Sequence, residues 1–267
     1  IVLGKDKTGG FGAGGNPEIG KAAAEASIEE IHNVVRGANI VFIAAGMGGG
    51  TGTGAAPVIA QASREENALT IAVVTRPFGF EGPKKISRSI DGLNALKEVV
   101  DAIIVVSNDK LLMNNGTNSI QEAFKESDQV LSQSINTIVD IIMMPGKINL
   151  DFADVSTVMR GKGVAHIGIG YGNGENKCVD AVQVAISSPL LETSINGATD
   201  VIINISGDNY IIHAFYLFYP HIRLFLYKRL FKGQYWRGEN ICTATRFHFP
   251  DTHRKTSVNI CYVVNHT

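Results

Sequence analysis

Cysteine is almost missing from this sequence. Three occur in 267 residues, Cys178, Cys242 and Cys261, widely spaced and without a Cys-x-x-Cys pair. That excludes a disulfide framework and a thiolate zinc site. Long apolar runs are missing too. No uncharged stretch reaches the roughly 18 residues that span a bilayer, and no signal peptide is visible, so no direct membrane insertion is expected. Charge of one sign is in short supply: the net charge is −1, which gives no general affinity for nucleic acid or anionic lipid. The seven histidines show no helical ligand spacing, and no metal site built from side chains is expected. Hydrophobic residues at 45% and charged residues at 18% remain ordinary for a globular chain, long enough for one or two domains.

Glycine, by contrast, is abundant and concentrated. In Gly46-Met47-Gly48-Gly49-Gly50-Thr51-Gly52-Thr53-Gly54 every residue but Met47 is Gly or Thr. An apolar run, Ile40 to Ala45, precedes this stretch, and a helical pattern follows it. Strand, glycine loop, helix is the layout that cradles a phosphate, because backbone N–H groups and the helix dipole converge on the anion. Thr51 and Thr53 offer hydroxyls to phosphate oxygens or to a metal's water shell. A P-loop would need a lysine, and none lies in the stretch. A dinucleotide fingerprint is formally present at Gly50-x-Gly52-x-x-Ala55, but it needs an acidic residue at the end of the next strand. That strand, Leu69 to Val74, ends in Thr75-Arg76.

Further along, the pattern predicts a second glycine loop, Gly12-Ala13-Gly14-Gly15-Asn16, before a helix from Ala22 to Val35. Helices are expected over Ile86–Val99, Asp128–Ile142, Val155–Gly161 and Cys178–Ile186. Strands are expected at Ala102–Val106, Val164–Gly170 and Asp200–Ile205. Alternating strands and helices imply a doubly wound parallel α/β sheet whose ligand sits at the strands' carboxyl ends. Phe124 and Asp128 stand one helical turn apart. They read either as a platform and acceptor for a base or as a core aromatic and a helix cap. On their own, Asp151 and Asp154 read first as residues that favour a helix N-terminus, with catalytic carboxylates as the alternative.

Gly-Gly-Gly-Thr-Gly-Thr-Gly resembles the nucleotide loop of the tubulin/FtsZ family, and the residues from about Gly12 to about Asp208 resemble bacterial-type FtsZ. The resemblance implies a GTPase domain over 1–127, a connecting core helix over 128–145, an incomplete α+β second domain over 146–208 and a divergent tail over 209–267. It implies GTP or GDP with Mg²⁺ at Gly12–Asn16 and Gly46–Gly54. Glu81 would lie toward the sugar, and Lys85 would take a position that is usually Arg. Phe124 would pack on guanine, and Asp128 would accept from its N1–H and 2-amino group. Asn149, Asp151 and Asp154 fall in the family's catalytic loop, which acts on GTP held by the neighbouring subunit of a head-to-tail filament. Other division-ring proteins would be partners, and the place would be the cytoplasm at the division site. Gly10, Phe11 and Ser127 depart from the family's usual residues. The resemblance begins inside the family's usual N-terminus, so two front nucleotide loops are expected to be missing and turnover by the chain alone to be impaired. A non-catalytic GTP-binding or filament-capping fragment is the alternative.

The last 59 residues change character. They hold 13 of the 20 aromatics and five of the seven histidines, but two of the 29 glycines. They carry 8 basic and 2 acidic residues, which leaves 16 and 23 for the rest. Ile211 to Tyr219 follows neither a strand nor a helix period. The tail is therefore expected not to complete the second domain, to lack the family's C-terminal partner peptide and to be cut first by proteases.

Overall fold

The computed structural model describes residues 1–115, 120–144, 150–174, 177–186, 198–206, 223–224 and 256–264. A parallel sheet forms first: β1 (Ile40–Gly46), β2 (Leu69–Arg76), β3 (Ala102–Ser107) and β4 (Gly163–Gly172). The register sets Gly46 beside Thr75 and Thr75 beside Val106, so the loops after β1, β2 and β3 leave from one end of the sheet. β1 is the end strand.

Helices cover both faces, which is why β2 is apolar without alternation. Leu69, Ile71 and Val73 face one cluster with Ile138, Ile141, Val155, Val158 and Met159. These come from α7 (Ile120–Met143) and α8 (Phe152–Met159). Ala72 and Val74 face the other cluster, with Ala56 and Ala60 of α4 (Thr51–Glu65) and Leu93 and Leu96 of α5 (Pro83–Val99). Ahead of these lie α1 (Lys5–Thr8), α2 (Pro17–Ala26) and α3 (Ile28–Val35). α6 (Asn108–Asn115) follows β3, and α9 (Lys177–Ile186) follows β4.

Several boundaries differ from expectation for identifiable reasons. The single helix over Ala22–Val35 is broken at Ser27, whose buried hydroxyl accepts from the Gly4 amide at 2.9 Å. After β3 the chain continues as α6 as far as Asn115, and residues 116–119 lie outside the described set. α7 starts well before Asp128, so the boundary between 127 and 128 falls inside one helix. Asp128 therefore lies inside the helix, past its first two turns, which removes the capping reading.

β4 carries glycine at every second position, Gly168, Gly170 and Gly172. A β carbon on these would collide with the carbonyls of Ala185, Ala181 and Lys177 respectively. The backbone of α9 thus rests directly on the strand.

The tail departs most from expectation. Residues Thr256–Val264 form β7, which pairs antiparallel with β4 on one side and with β5 (Ala198–Ser206) on the other. β6 (Arg223–Leu224) flanks β5 and closes the order β1-β2-β3-β4-β7-β5-β6. Val258 and the unbroken apolar run Ile260-Cys261-Tyr262-Val263-Val264 are rich in β-branched and aromatic residues, as a strand paired on both sides is. The stretch Ile211–Tyr219 lies outside the described residues.

Candidate functional site

The loop after β1 is held by its own residues. The Met47 amide donates to Thr75 O at 2.9 Å, and the Gly48 amide donates to Thr53 Oγ1 at 2.8 Å. Gly48 has φ +96°, a conformation that glycine adopts without penalty. Met47 and Thr53 are buried, Met47 toward Gly92 of α5. They build the loop rather than line its mouth. The first bond of α4 runs from the Gly54 amide to Gly50 O at 3.0 Å, so the Thr51 and Gly52 amides lie at the open end of the helix. Thr51 is exposed there.

The second glycine loop packs against the first. Asn16 caps α2, its Oδ1 accepting from the Glu18 amide at 3.1 Å, with Pro17 at the first helical position. The Asn16 amide donates to Ala13 O at 3.0 Å, which folds Ala13, Gly14 and Gly15 into a tight turn. A β carbon on Gly50 would lie 2.8 Å from the Asn16 amide and 2.8 Å from the Ala13 β carbon. A β carbon on Gly54 would collide with Pro17 O. The N-termini of α2 and α4 are thereby set side by side. Gly12 and Gly49 meet nothing within 4 Å and leave open space.

The loop after β2 makes a single 3₁₀ turn, Gly79–Glu81. Glu81 folds it: Oε1 accepts from the Phe78 amide at 2.9 Å, and Oε2 pairs with Lys85 Nζ at 2.8 Å. The two residues expected at the sugar and phosphates are thus tied to each other. Gly79 donates to Asp109 Oδ1 at 2.7 Å, which joins this loop to α6. Arg76, Pro77, Ile86, Ser107 and Asp109 line a cleft at the ends of β2 and β3.

Phe124 and Asp128 lie on the first turns of α7. Phe124 is 43% exposed and meets the buried Phe78 ring edge-on at 4.9 Å, while Phe80 stacks on Phe78 at 5.0 Å. Phe124 keeps one part of its ring exposed, and Phe78 packs against the rest. Asp128 is exposed and has no hydrogen-bond partner among the described residues. Two residues to which the sequence reading gave no role hold this region. Ser127 Oγ donates to Asn108 Oδ1 at 2.8 Å, and both are buried. Adjacent polar residues at a strand end and a helix start would have been the signal. Arg88 was also missed, although Lys85 and Arg88 are spaced three apart at a helix start. Its Nη1 lies 3.6 Å from where a β carbon on Gly15 would stand.

Asp151 and Asp154 sit elsewhere. Asp151 caps α8 and accepts from the Asp154 amide at 3.0 Å, while Asp154 Oδ2 accepts from the Asp151 amide at 3.2 Å. The helix-start reading is thus realised, with one oxygen of each carboxylate left over. Asn149 lies outside the described residues. From Phe124 to Met143, α7 travels about 28 Å at 1.5 Å per residue. It packs on β2 and β3 along the way. Asp151 and Asp154 follow that far end of α7, whereas the glycine loops lie near its start.

Among the described residues no three His, Cys, Asp or Glu are grouped to hold a metal, and no helix is long and apolar enough to cross a membrane.

Comparison with known proteins adds three findings. The profile described as Tubulin/FtsZ family, GTPase domain, matches residues 1–116, and that of the FtsZ family, C-terminal domain, matches residues 163–212. An FtsZ dimer from M. jannaschii, solved empty, is 34% identical with a TM-score of 0.77, over 98% of this chain and 74% of that one. CetZ2 from Haloferax volcanii, solved as a GTPγS-bound protofilament, is 19% identical with a TM-score of 0.70, over 97% of this chain and 77% of that one, a likeness of fold.

Proposed function

Since the chain belongs to the tubulin/FtsZ family, we propose that it binds GTP between its glycine loops and hydrolyses GTP across a subunit contact. The observation that carries this reading is the separation along α7. The phosphate loops and Asp128 gather near its start, and Asp151 and Asp154 follow its far end, about 28 Å on. One copy cannot bring these groups together. A second copy stacked head to tail can, with the carboxylates of one chain facing the nucleotide of the next.

In this reading the amides at the starts of α2 and α4 hold the phosphates. Phe124 supports the guanine, and the unpartnered Asp128 carboxylate accepts from its N1–H and 2-amino group. Adenine offers no such donor pair at that edge. The free oxygens of Asp151 and Asp154 orient a water in line with the terminal phosphate, with Asn149 helping to position them. Mg²⁺ fits as an ion carried by the phosphates and water, since the site has a hydroxyl at Thr51 and, among the described residues, no carboxylate cage. When bound, it would offset charge on the leaving phosphate. Self-association into filaments, a cytoplasmic place and work with other division-ring proteins belong to the same proposal.

The test combines binding with phosphate release. The chain should bind GTP in preference to ATP. Mixed with FtsZ subunits whose own catalytic-loop carboxylates are replaced by Ala, it should restore phosphate release, and Asp154→Ala should abolish the rescue. Absence of GTP binding overturns the reading. Binding and docking without rescue overturns its catalytic half.

A further inference from the structure

Among the described residues, Arg88 is a half-buried cation left without a partner after the loops of the site have satisfied one another. Lys85, the basic residue of that loop by resemblance, is held by Glu81 at 2.8 Å. Arg88 lies three residues on, on the same side of α5. It is half-buried and has no carboxylate or carbonyl partner among the described residues. Its guanidinium reaches the turn at Gly15, just ahead of the Asn16 cap of α2, and Asn16 in turn touches Gly50 ahead of α4. A half-buried positive charge thus stands beside the positive end of α2, next to which α4 also begins. A bound anion suits that arrangement. The order of the elements says which part of a nucleotide supplies it. Phe124 and Asp128 lie by the loop after β2 and by α6, the glycine loop of β1 comes next, and the Gly12–Gly15 turn lies beyond it on α2. A phosphate chain starting from a base at Phe124 reaches Gly15 last.

We propose that Arg88 binds the terminal phosphate of the nucleoside triphosphate and so makes this chain distinguish triphosphate from diphosphate. The inference rests on the GTP-binding reading above. Arg88 is a binding residue here, and Lys85 a residue that folds the loop through Glu81. The planar guanidinium suits a phosphate with two free oxygens, which a terminal phosphate offers and a bridging one does not.

The experiment measures equilibrium binding of GTPγS and GDP to the full chain, to Arg88→Ala and to Arg88→Lys, with circular dichroism as a check on folding. Arg88→Ala should weaken GTPγS on the order of tenfold. It should leave GDP within about twofold. Arg88→Lys, which keeps the charge but loses the fork, should lose less of the triphosphate affinity and leave GDP alone. Equal loss of both nucleotides, or no loss of GTPγS, overturns the assignment. If Arg88→Ala does not fold, the ratio in Arg88→Lys decides: an unchanged preference for triphosphate overturns it. Wild-type chain that binds neither nucleotide overturns the GTP reading and this inference with it. Wild-type chain that binds both, with the preference unmoved in the variants, overturns the Arg88 assignment alone.

Discussion

Asp128 is an exposed carboxylate on the third turn of a long helix, with no side-chain partner among the described residues. Replacement by Asn leaves the helix intact but turns one acceptor oxygen into a donor that opposes the guanine edge. We expect Asp128→Asn to weaken GTP by about 1.5–3 kcal/mol, the range for a hydrogen bond to a charged group. ATP should show no matching gain, because the adenine edge needs more than one changed oxygen. Competition binding of the two nucleotides checks this, and unchanged GTP affinity would remove Asp128 from the site. The spacing of Phe124 and Asp128 was legible in the sequence because one helical turn is a fixed distance. Their supports were not. Phe78 under Phe124, and Asn108 bonded to Ser127, are contacts between residues 19 to 46 positions apart, and local patterns do not reach that far. The same limit hid the pairing of Glu81 with Lys85. Two oppositely charged residues four apart can serve a ligand or each other, and the sequence alone does not choose.

At the scale of elements, α8 shows two demands made on the same residues. Asp151 and Asp154 cap the helix reciprocally, and they are also the carboxylates proposed to act on a neighbour's GTP. Substitution can separate the demands. Asn is as good a cap as Asp, so Asp151→Asn should keep the melting temperature while phosphate release in the mixed assay falls. Asp151→Ala should cost about 0.5–2 kcal/mol in stability as well. Thermal melts run beside phosphate release check both, and unchanged release in Asp151→Asn would make Asp151 a cap alone. The regular elements of the first half were legible because a parallel strand buried on both faces reads as an unbroken apolar run, as in Leu69 to Val74. The break at Ser27 was not, since it depends on a hydrogen bond from Gly4, outside any local window.

For the whole molecule, the unexpected fact is that a strand from the end of the chain lies inside the sheet. β7 bridges β4 and β5, so its removal would leave both with open edges. A chain ending at residue 255 should therefore melt at lower temperature and scatter more light than the full chain. Equal melting and scattering would show that β7 contributes nothing to the fold. The average composition of the tail concealed this strand. Aromatic and basic residues dominate the last 59 positions, while the strand-forming run occupies only a short part of them. A tally over the whole segment dilutes the short apolar, β-branched run Ile260–Val264 that a window of nine would find.

The glycines of β4 carry a consequence at the level of the gene. Every base change in the first two positions of a glycine codon that still encodes an amino acid adds at least a β carbon. At Gly168, Gly170 and Gly172 that carbon would meet a carbonyl of α9. Three codons in a run of five are therefore closed to missense drift, while third-position changes stay silent. In a library of random variants this short stretch should be depleted of amino-acid changes without being depleted of mutations. That selective pressure comes from one helix lying flat on one strand.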